Sequence, residues 1–277
     1  MKNTAPEDIS PLGMDGAGVQ GELELFQRRY KPMLAELRLL LPDAPLKFTN
    51  KRLTDLGASV ADLLEDAFFL AYRPSGKFLG ITALEEASTA LGSALAHKGF
   101  IEKKYFAAHK HVSKEKIALI GSVAGRFIEE MFKIAMGKIS DPRIQITPDG
   151  ARLTFATDGS GLRAETRITE IQISTQEHNF AQLAERKVKD LLGQGENLDD
   201  WLKRRANIRN ICLYAGQAGN AKDSFRHQKE LVATAQQCIH TLMMAIDVME
   251  SSEVPLMLGA CLKGLETSAD LTSGENA

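Results

Sequence analysis

Cysteine, tyrosine and tryptophan are scarce in this chain, at three, four and one of 277 residues, and neither sign of charge is in excess. Cys212, Cys238 and Cys261 are odd in number, sit in apolar helical stretches and lack C-x-x-C spacing. A disulfide framework and a thiolate zinc site are thereby excluded, and reduced thiols in a cytoplasmic setting are expected. The 34 Lys+Arg against 36 Asp+Glu give a net charge of −2, which excludes a uniformly basic coat protein and a wholly acidic disordered tail. Any preference for an anionic partner must come from local clustering. Apolar runs such as 67–72 and 242–249 fall well short of the roughly 20 residues that cross a bilayer, so no membrane contact is expected. The opening MKNTAPEDISPLGMDGAG mixes acids, prolines and glycines where an export signal needs an unbroken apolar run.

What is present is helical periodicity in a chain of ordinary composition, 44% hydrophobic and 25% charged. Leu23, Phe26, Tyr30, Leu34, Leu37 and Leu41 recur at three- and four-residue intervals up to Pro42. A second helix is predicted over 50–70, ended by Arg73-Pro74-Ser75-Gly76. A third is predicted to open on the Thr82/Glu85 capping-box spacing and run to His97, rich in small residues that permit close packing. A fourth is predicted from Ser113, with Gly121 and Gly125 marking the tight approach of another backbone. Further helices are predicted over 175–193, 198–214 and 223–250, with a short one from Pro255.

Between the two helical parts the period falls to two. Arg143–Thr147, 152–155 and 167–174 alternate, with Pro148-Asp149-Gly150 and Asp158-Gly159-Ser160-Gly161 as turns. The predicted fold is therefore mainly α, a bundle of about eight helices with a small antiparallel β insertion at about residues 143–174. The predicted organisation is a mobile 1–18, a helical part over 19–140, the β insertion with a second helical part over 141–266, and a mobile 267–277. The two helical parts are expected to form one compact body. No repeat of 20 to 50 residues is visible, which excludes a solenoid.

Motifs for catalysis are missing. His109-x-His111 and Cys238-x-His240 place their members on different sides of a helix, and H-E-x-x-H is absent, so no metal is expected. No G-x-S-x-G, phosphate-binding loop or G-x-G-x-x-G follows a predicted strand, so no cofactor is expected.

Charge clustering carries the functional expectation. Over 97–116, six lysines including Lys103, Lys104, Lys110, Lys114 and Lys116 oppose Glu102 and Glu115. Lys203, Arg204, Arg205 and Arg209 follow Trp201 on a predicted helix, whereas 230–277 holds seven acids against Lys263. Bases gathered away from an acidic end are what a phosphate backbone selects, so DNA or RNA is the expected partner and these nine residues the candidate contacts. Against this, Asp199 and Asp200 can pair with Lys203 and Arg204 at helical spacing. The strand, helix, helix order over 167–214 resembles the ribbon-helix-helix DNA-binding unit, with Arg167, Thr169 and Gln172 as base readers, although its first helix is longer than that unit uses.

Two other classes remain open. Val232, Ala235, Ile239, Leu242, Ile246 and Met249 form a 3-4-3-4-3 seam suited to a homodimer or to another helical protein, or else to an inner bundle helix. An enzyme with a site between helices would reveal itself by buried titratable groups in a pocket.

Overall fold

A computed structural model describes residues 24, 45–46, 51–70, 74–102, 106–107, 109–135, 140–147, 150–156, 163–167, 170, 179–192, 197–213 and 228–273. Apart from Glu24, the helix predicted over 23–41 lies outside them. Seven helices and two small sheets are described, and the class is mainly α. A two-residue ribbon, β1 (Pro45–Leu46) with β2 (Lys51–Arg52), leads into α1 (Leu53–Phe69), which buries Leu53, Leu56, Val60 and Leu64 at helical spacing.

α2 (Pro74–Lys98) corrects the third predicted helix, which opens eight residues earlier than the Thr82/Glu85 spacing suggests. Pro74 occupies the first helical position, where a missing N–H costs nothing and the fixed φ suits the helix. Thr82 is no cap: its hydroxyl donates to Phe78 O at 2.9 Å, one turn back. Gly99, at φ 74°, ends α2 in a Schellman motif, with Phe100 N donating to Leu95 O at 2.9 Å and Gly99 N to Ala96 O at 3.3 Å. The small residues of α2 place it at the centre, with Ala87, Ala90, Leu91, Ala94 and Leu95 fully enclosed. α3 (His111–Ala135) begins two residues before Ser113, which is therefore inside the first turn.

β3 (Ser140–Thr147), β4 (Gly150–Ala156) and β5 (Arg163–Arg167) form an antiparallel sheet in the order β3-β4-β5. The third strand lies earlier than the predicted 167–174. Its register runs from Ala156↔Arg163 to Arg152↔Arg167, and Arg152 Nη1 meets Glu165 Oε1 at 2.6 Å across the ladder. Arg167 thus ends the strand, and Thr169 and Gln172 lie outside the described residues.

The C-terminal helices have legible starts. α4 (Phe180–Leu192) opens on a reciprocal box in which Gln182 N donates to Asn179 Oδ1 at 3.0 Å and Asn179 N to Gln182 Oε1 at 2.9 Å. α5 (Leu198–Leu213) opens on Asn197, whose Oδ1 accepts from Asp200 N at 2.8 Å. α6 (Gln228–Glu250) is an inner helix: every residue from Thr241 to Val248 is buried, and so are Val232, Ala235 and Ile239 of the seam. The 21 residues Glu230–Glu250 have the length and hydropathy of a membrane span, and 72% of the apolar window lies inside the bundle. α7 (Leu256–Ser273) is not short, and it continues past 267. One buried cluster draws on all seven helices, from Leu53 to Leu265, so the helices before and after the sheet share a core.

α3 and α6 meet closely at the two glycines of α3. A Cβ added at Gly121 would run into Thr241 Oγ1, and one at Gly125 would lie 2.7 Å from His240 Nδ1. Gln237 Nε2 donates to Ala118 O at 2.7 Å and also to Ser122 Oγ, tying the crossing together.

Candidate functional site

α5 organises the site because two different stripes of its surface face the bundle. Leu198, Leu202, Arg205, Arg209 and Cys212 follow a 4-3-4-3 spacing, the inward seam of a packed helix, yet two of the five are arginines. Trp201, Arg204, Arg205 and Ile208 form the adjacent stripe.

The inward arginines meet two buried carboxylates. Glu85 of α2 is 4% exposed and Glu115 of α3 is 3% exposed. Arg205 Nε lies 3.4 Å from Glu115 Oε2, and Arg209 Nε lies 3.9 Å from Glu85 Oε2. Lys114 Nζ is 4.0 Å from the same Glu85 oxygen, and His111 Nδ1 is 2.7 Å from Glu85 Oε1. Arg209 Nη1 stands 3.2 Å from His111 Nε2. Arginine can only donate, so this nitrogen accepts and Nδ1 carries the hydrogen given to Glu85. The guanidinium of Arg209 also covers Phe78 at 5.1 Å, and that of Arg205 covers Trp201 at 5.4 Å. Burial pushes the Glu115 carboxyl above its usual range; Arg205 opposes the rise and Glu85 adds to it.

Two clefts flank this network. One, of about 430 Å³, runs between α2, α5 and α6, with Ile81, Leu84 and Leu231 as apolar walls, the Lys77–Glu230 pair on one side and Glu115 with Arg205 on the other. The second, of about 580 Å³, lies between α3, α5 and α6 and reaches the end of α4. α3 contributes Ser122 and Arg126, α5 contributes Trp201, Arg204 and Arg205, and α6 contributes Gln236, Gln237 and His240. Each set recurs at three- and four-residue steps, so helix geometry alone aligns them. Gly121 and Gly125 also line it, and among the described residues no carboxylate is in the lining. Arg126 is exposed.

The nine sequence-derived contacts are thereby divided. Arg204 and Arg205 reach the cationic cleft, whereas Arg209 is turned inward on Glu85 and Phe78. Lys203 is exposed and stands 4.0 Å from Asp200 one turn away, the local pairing that helical spacing allows. Lys110 is exposed ahead of α3, Lys114 points at Glu85, and Lys116 is half-buried. Lys103 and Lys104 lie outside the described residues. Sequence reasoning missed Arg126, Gln236, Gln237 and His240 in the cleft, and the Glu85 and Glu115 carboxylates beside it. The visible signal for the carboxylates was the pair of arginines at seam positions of α5, which demand buried partners.

Among the described residues no three His, Cys, Asp or Glu side chains gather as a metal site. Comparison with models of known protein families, with curated proteins and with solved structures found no match, so function is read from this geometry alone.

Proposed function

We propose that the protein is a non-catalytic binding protein that holds nucleic acid by its phosphates in the cleft between α3, α5 and α6. The observation that carries this reading is the lining itself: Arg126, Arg204, Arg205 and His240 converge, with no carboxylate among the described lining residues, in a chain whose net charge is −2. A concave site lined by fixed cations concentrates a field that the overall charge does not supply. Guanidinium groups also match phosphate oxygens with two parallel donors. Gln236, Gln237 and Ser122 add neutral polar groups along the same wall.

The test is fluorescence anisotropy of labelled DNA and RNA oligomers across a salt series, comparing the wild type with Arg126→Ala and Arg204→Ala. Arg205 is left in place because it also neutralises Glu115. Micromolar binding at low salt is expected, with log K falling against log salt at a slope of about −2 for three neutralised phosphates of a single strand. Each substitution should shallow that slope by about one contact. Unchanged anisotropy with every oligomer at low salt would sink the reading.

A second reading has its own observation. Glu115, a buried carboxyl with a raised proton affinity, lines the 430 Å³ cleft, which is the setting of a general acid. The first reading is preferred because Glu115 is already neutralised by Arg205, the arrangement of an ion pair that docks a helix. For the helix-pairing alternative, the α6 seam is occupied inside the chain.

A further inference from the structure

The two clefts adjoin. Arg205, Ile208, Ala233 and Gln237 line both, so the cleft of about 580 Å³ borders that of about 430 Å³ along α5 and α6. Their charges differ. Among the described residues the larger is lined by Arg126, Arg204 and Arg205 and no carboxylate, whereas in the smaller Lys77 and Arg205 are matched by Glu115 and Glu230. A ligand complementary to both is negative at one end and uncharged at the other.

Hydrogen-bonding atoms left over by the fold give each end its chemistry. Arg205 is anchored through Nε on Glu115 Oε2 at 3.4 Å, its side chain is 34% exposed, and its two Nη groups donate to no described residue. Arg126 is exposed and pairs with no described carboxylate. These are donors for a phosphate. In the smaller cleft the remaining atoms are acceptors. Glu115 is 3% exposed, and among the described residues only its Oε2 has a hydrogen-bond partner, which leaves Oε1. Gln237 gives its Nε2 hydrogens to Ala118 O and Ser122 Oγ, which leaves its Oε1 as well. Ile81, Leu84, Ile208 and Leu231 supply the apolar walls. Enclosed acceptors without a donor are costly, so this chamber favours an apolar body that carries N–H groups and no charge.

A nucleotide whose base bears an exocyclic amino group meets both requirements. Cytosine presents that group as a two-hydrogen donor, where thymine presents a carbonyl oxygen. We infer that the adjoining clefts hold one nucleotide, its phosphate on Arg126 and Arg205 and its amino-bearing base in the apolar chamber against Glu115 and Gln237. This rests on the phosphate-binding reading above and adds the base seat and the class of base to it.

The experiment measures anisotropy of labelled oligodeoxycytidylate, oligothymidylate and an abasic strand of the same length with the full chain at neutral pH and low salt, and titrates unlabelled CMP against the first. Oligodeoxycytidylate should bind at least about tenfold more tightly than the abasic strand, the worth of one hydrogen bond to a charged acceptor, and oligothymidylate should fall near the abasic strand. Ile81→Trp fills the chamber from α2 and should collapse the ratio of cytidylate to abasic affinity. Where that variant melts early, Thr234→Trp fills it from α6 and reads the same ratio. Equal affinity for cytidylate and abasic strands, or a ratio that survives the filling, would overturn the base seat and leave the phosphate reading standing. Equal affinity for thymidylate and cytidylate would overturn the amino-group contact in the same way. CMP that displaces the strand at the strand's own affinity would support the seat and assign it to a free nucleotide, and much weaker displacement would assign it to a nucleotide within a strand. No binding of any probe would remove both readings.

Discussion

Replacing Glu85 with methionine should be among the most damaging single changes in the chain, and adding a second change should repair much of the harm. Glu85 is 4% exposed and faces Arg209 at 3.9 Å and Lys114 at 4.0 Å, with His111 at 2.7 Å. Each full charge pair at that separation is worth about 4 kcal/mol in gross Coulomb energy at an effective dielectric of about 20, most of it offset by the desolvation of both ions. Removing the carboxylate alone deletes the attraction and leaves the desolvation, so Glu85→Met should cost about 3–5 kcal/mol. That is at least about a fifth of the 5–15 kcal/mol stability of an ordinary domain. Arg209→Met should be damaging for the mirror reason, and it also uncovers Phe78. In the double variant neither charge remains, and two flexible apolar side chains fill the space. Its cost should fall short of the sum of the singles by at least about 2 kcal/mol. Urea unfolding of all four chains, followed by far-UV circular dichroism, gives the cycle directly. Single changes worth under about 0.5 kcal/mol, the range of surface substitutions, or strict additivity, would refute the argument that this pair is a desolvated unit.

Three more outcomes follow from the same geometry. Glu115 has its proton affinity raised by burial above its ordinary value of 4.5, so the folded chain holds that proton more tightly than the unfolded one. Stability contributed at this site is therefore greatest at or below pH 4.5 and is lost as pH rises through the elevated value; the wild-type minus Glu115→Gln difference in urea midpoint should decline in that direction, and a difference that rises with pH would contradict it. Gly121→Ala should cost about 1–3 kcal/mol because the new methyl meets Thr241 Oγ1, and Thr241→Ala should restore most of the loss in a thermal melt, since that hydroxyl otherwise donates only along its own helix to Gln237 O at 2.7 Å. Cys212, Cys238 and Cys261 are all buried, and burial pushes each thiol up; a disulfide-exchange reagent should therefore label the native chain far more slowly than the urea-unfolded chain, and rapid stoichiometric labelling of native protein would disprove this.

The elements most legible in the sequence were those whose ends carry their own chemistry. α5, which begins on the Asn197 cap, was bounded to within a residue, α4 begins on its Asn179 cap five residues after the expected 175, and α6 was recognisable as an inner helix from the width of its apolar face. α2 was misplaced because Pro74 has two opposite meanings, a stop inside a helix and a favourable first residue of one. The Thr82 and Glu85 spacing imitates a cap, yet Glu85 serves a contact with residues 26 and more positions away. The cleft was half visible. Arg204 and Arg205 were found by charge clustering, but Arg126, Gln237 and His240 lie on helices separated in sequence, and no local period reports which faces of three helices will converge. Clustering also picked out Arg209, which the fold turns inward on Glu85 and Phe78; a count of charges does not distinguish an arginine facing solvent from one inserted into a seam.

The two seam arginines of α5 have a consequence for how that helix finds its place. An apolar seam slides at modest cost, since one aliphatic side chain replaces another after a shift of one turn, about 5.4 Å. Arg205 and Arg209 are one turn apart and meet Glu115 and Glu85 in that order. A slip of one turn in either direction would offer at most one arginine to a carboxylate and strand the other against apolar side chains of α2 such as Ile81 or Leu84. The charges thus act as a two-pronged key. They admit α5 in one axial setting, and with it the single alignment that brings Trp201 and Arg204 to the mouth of the cleft.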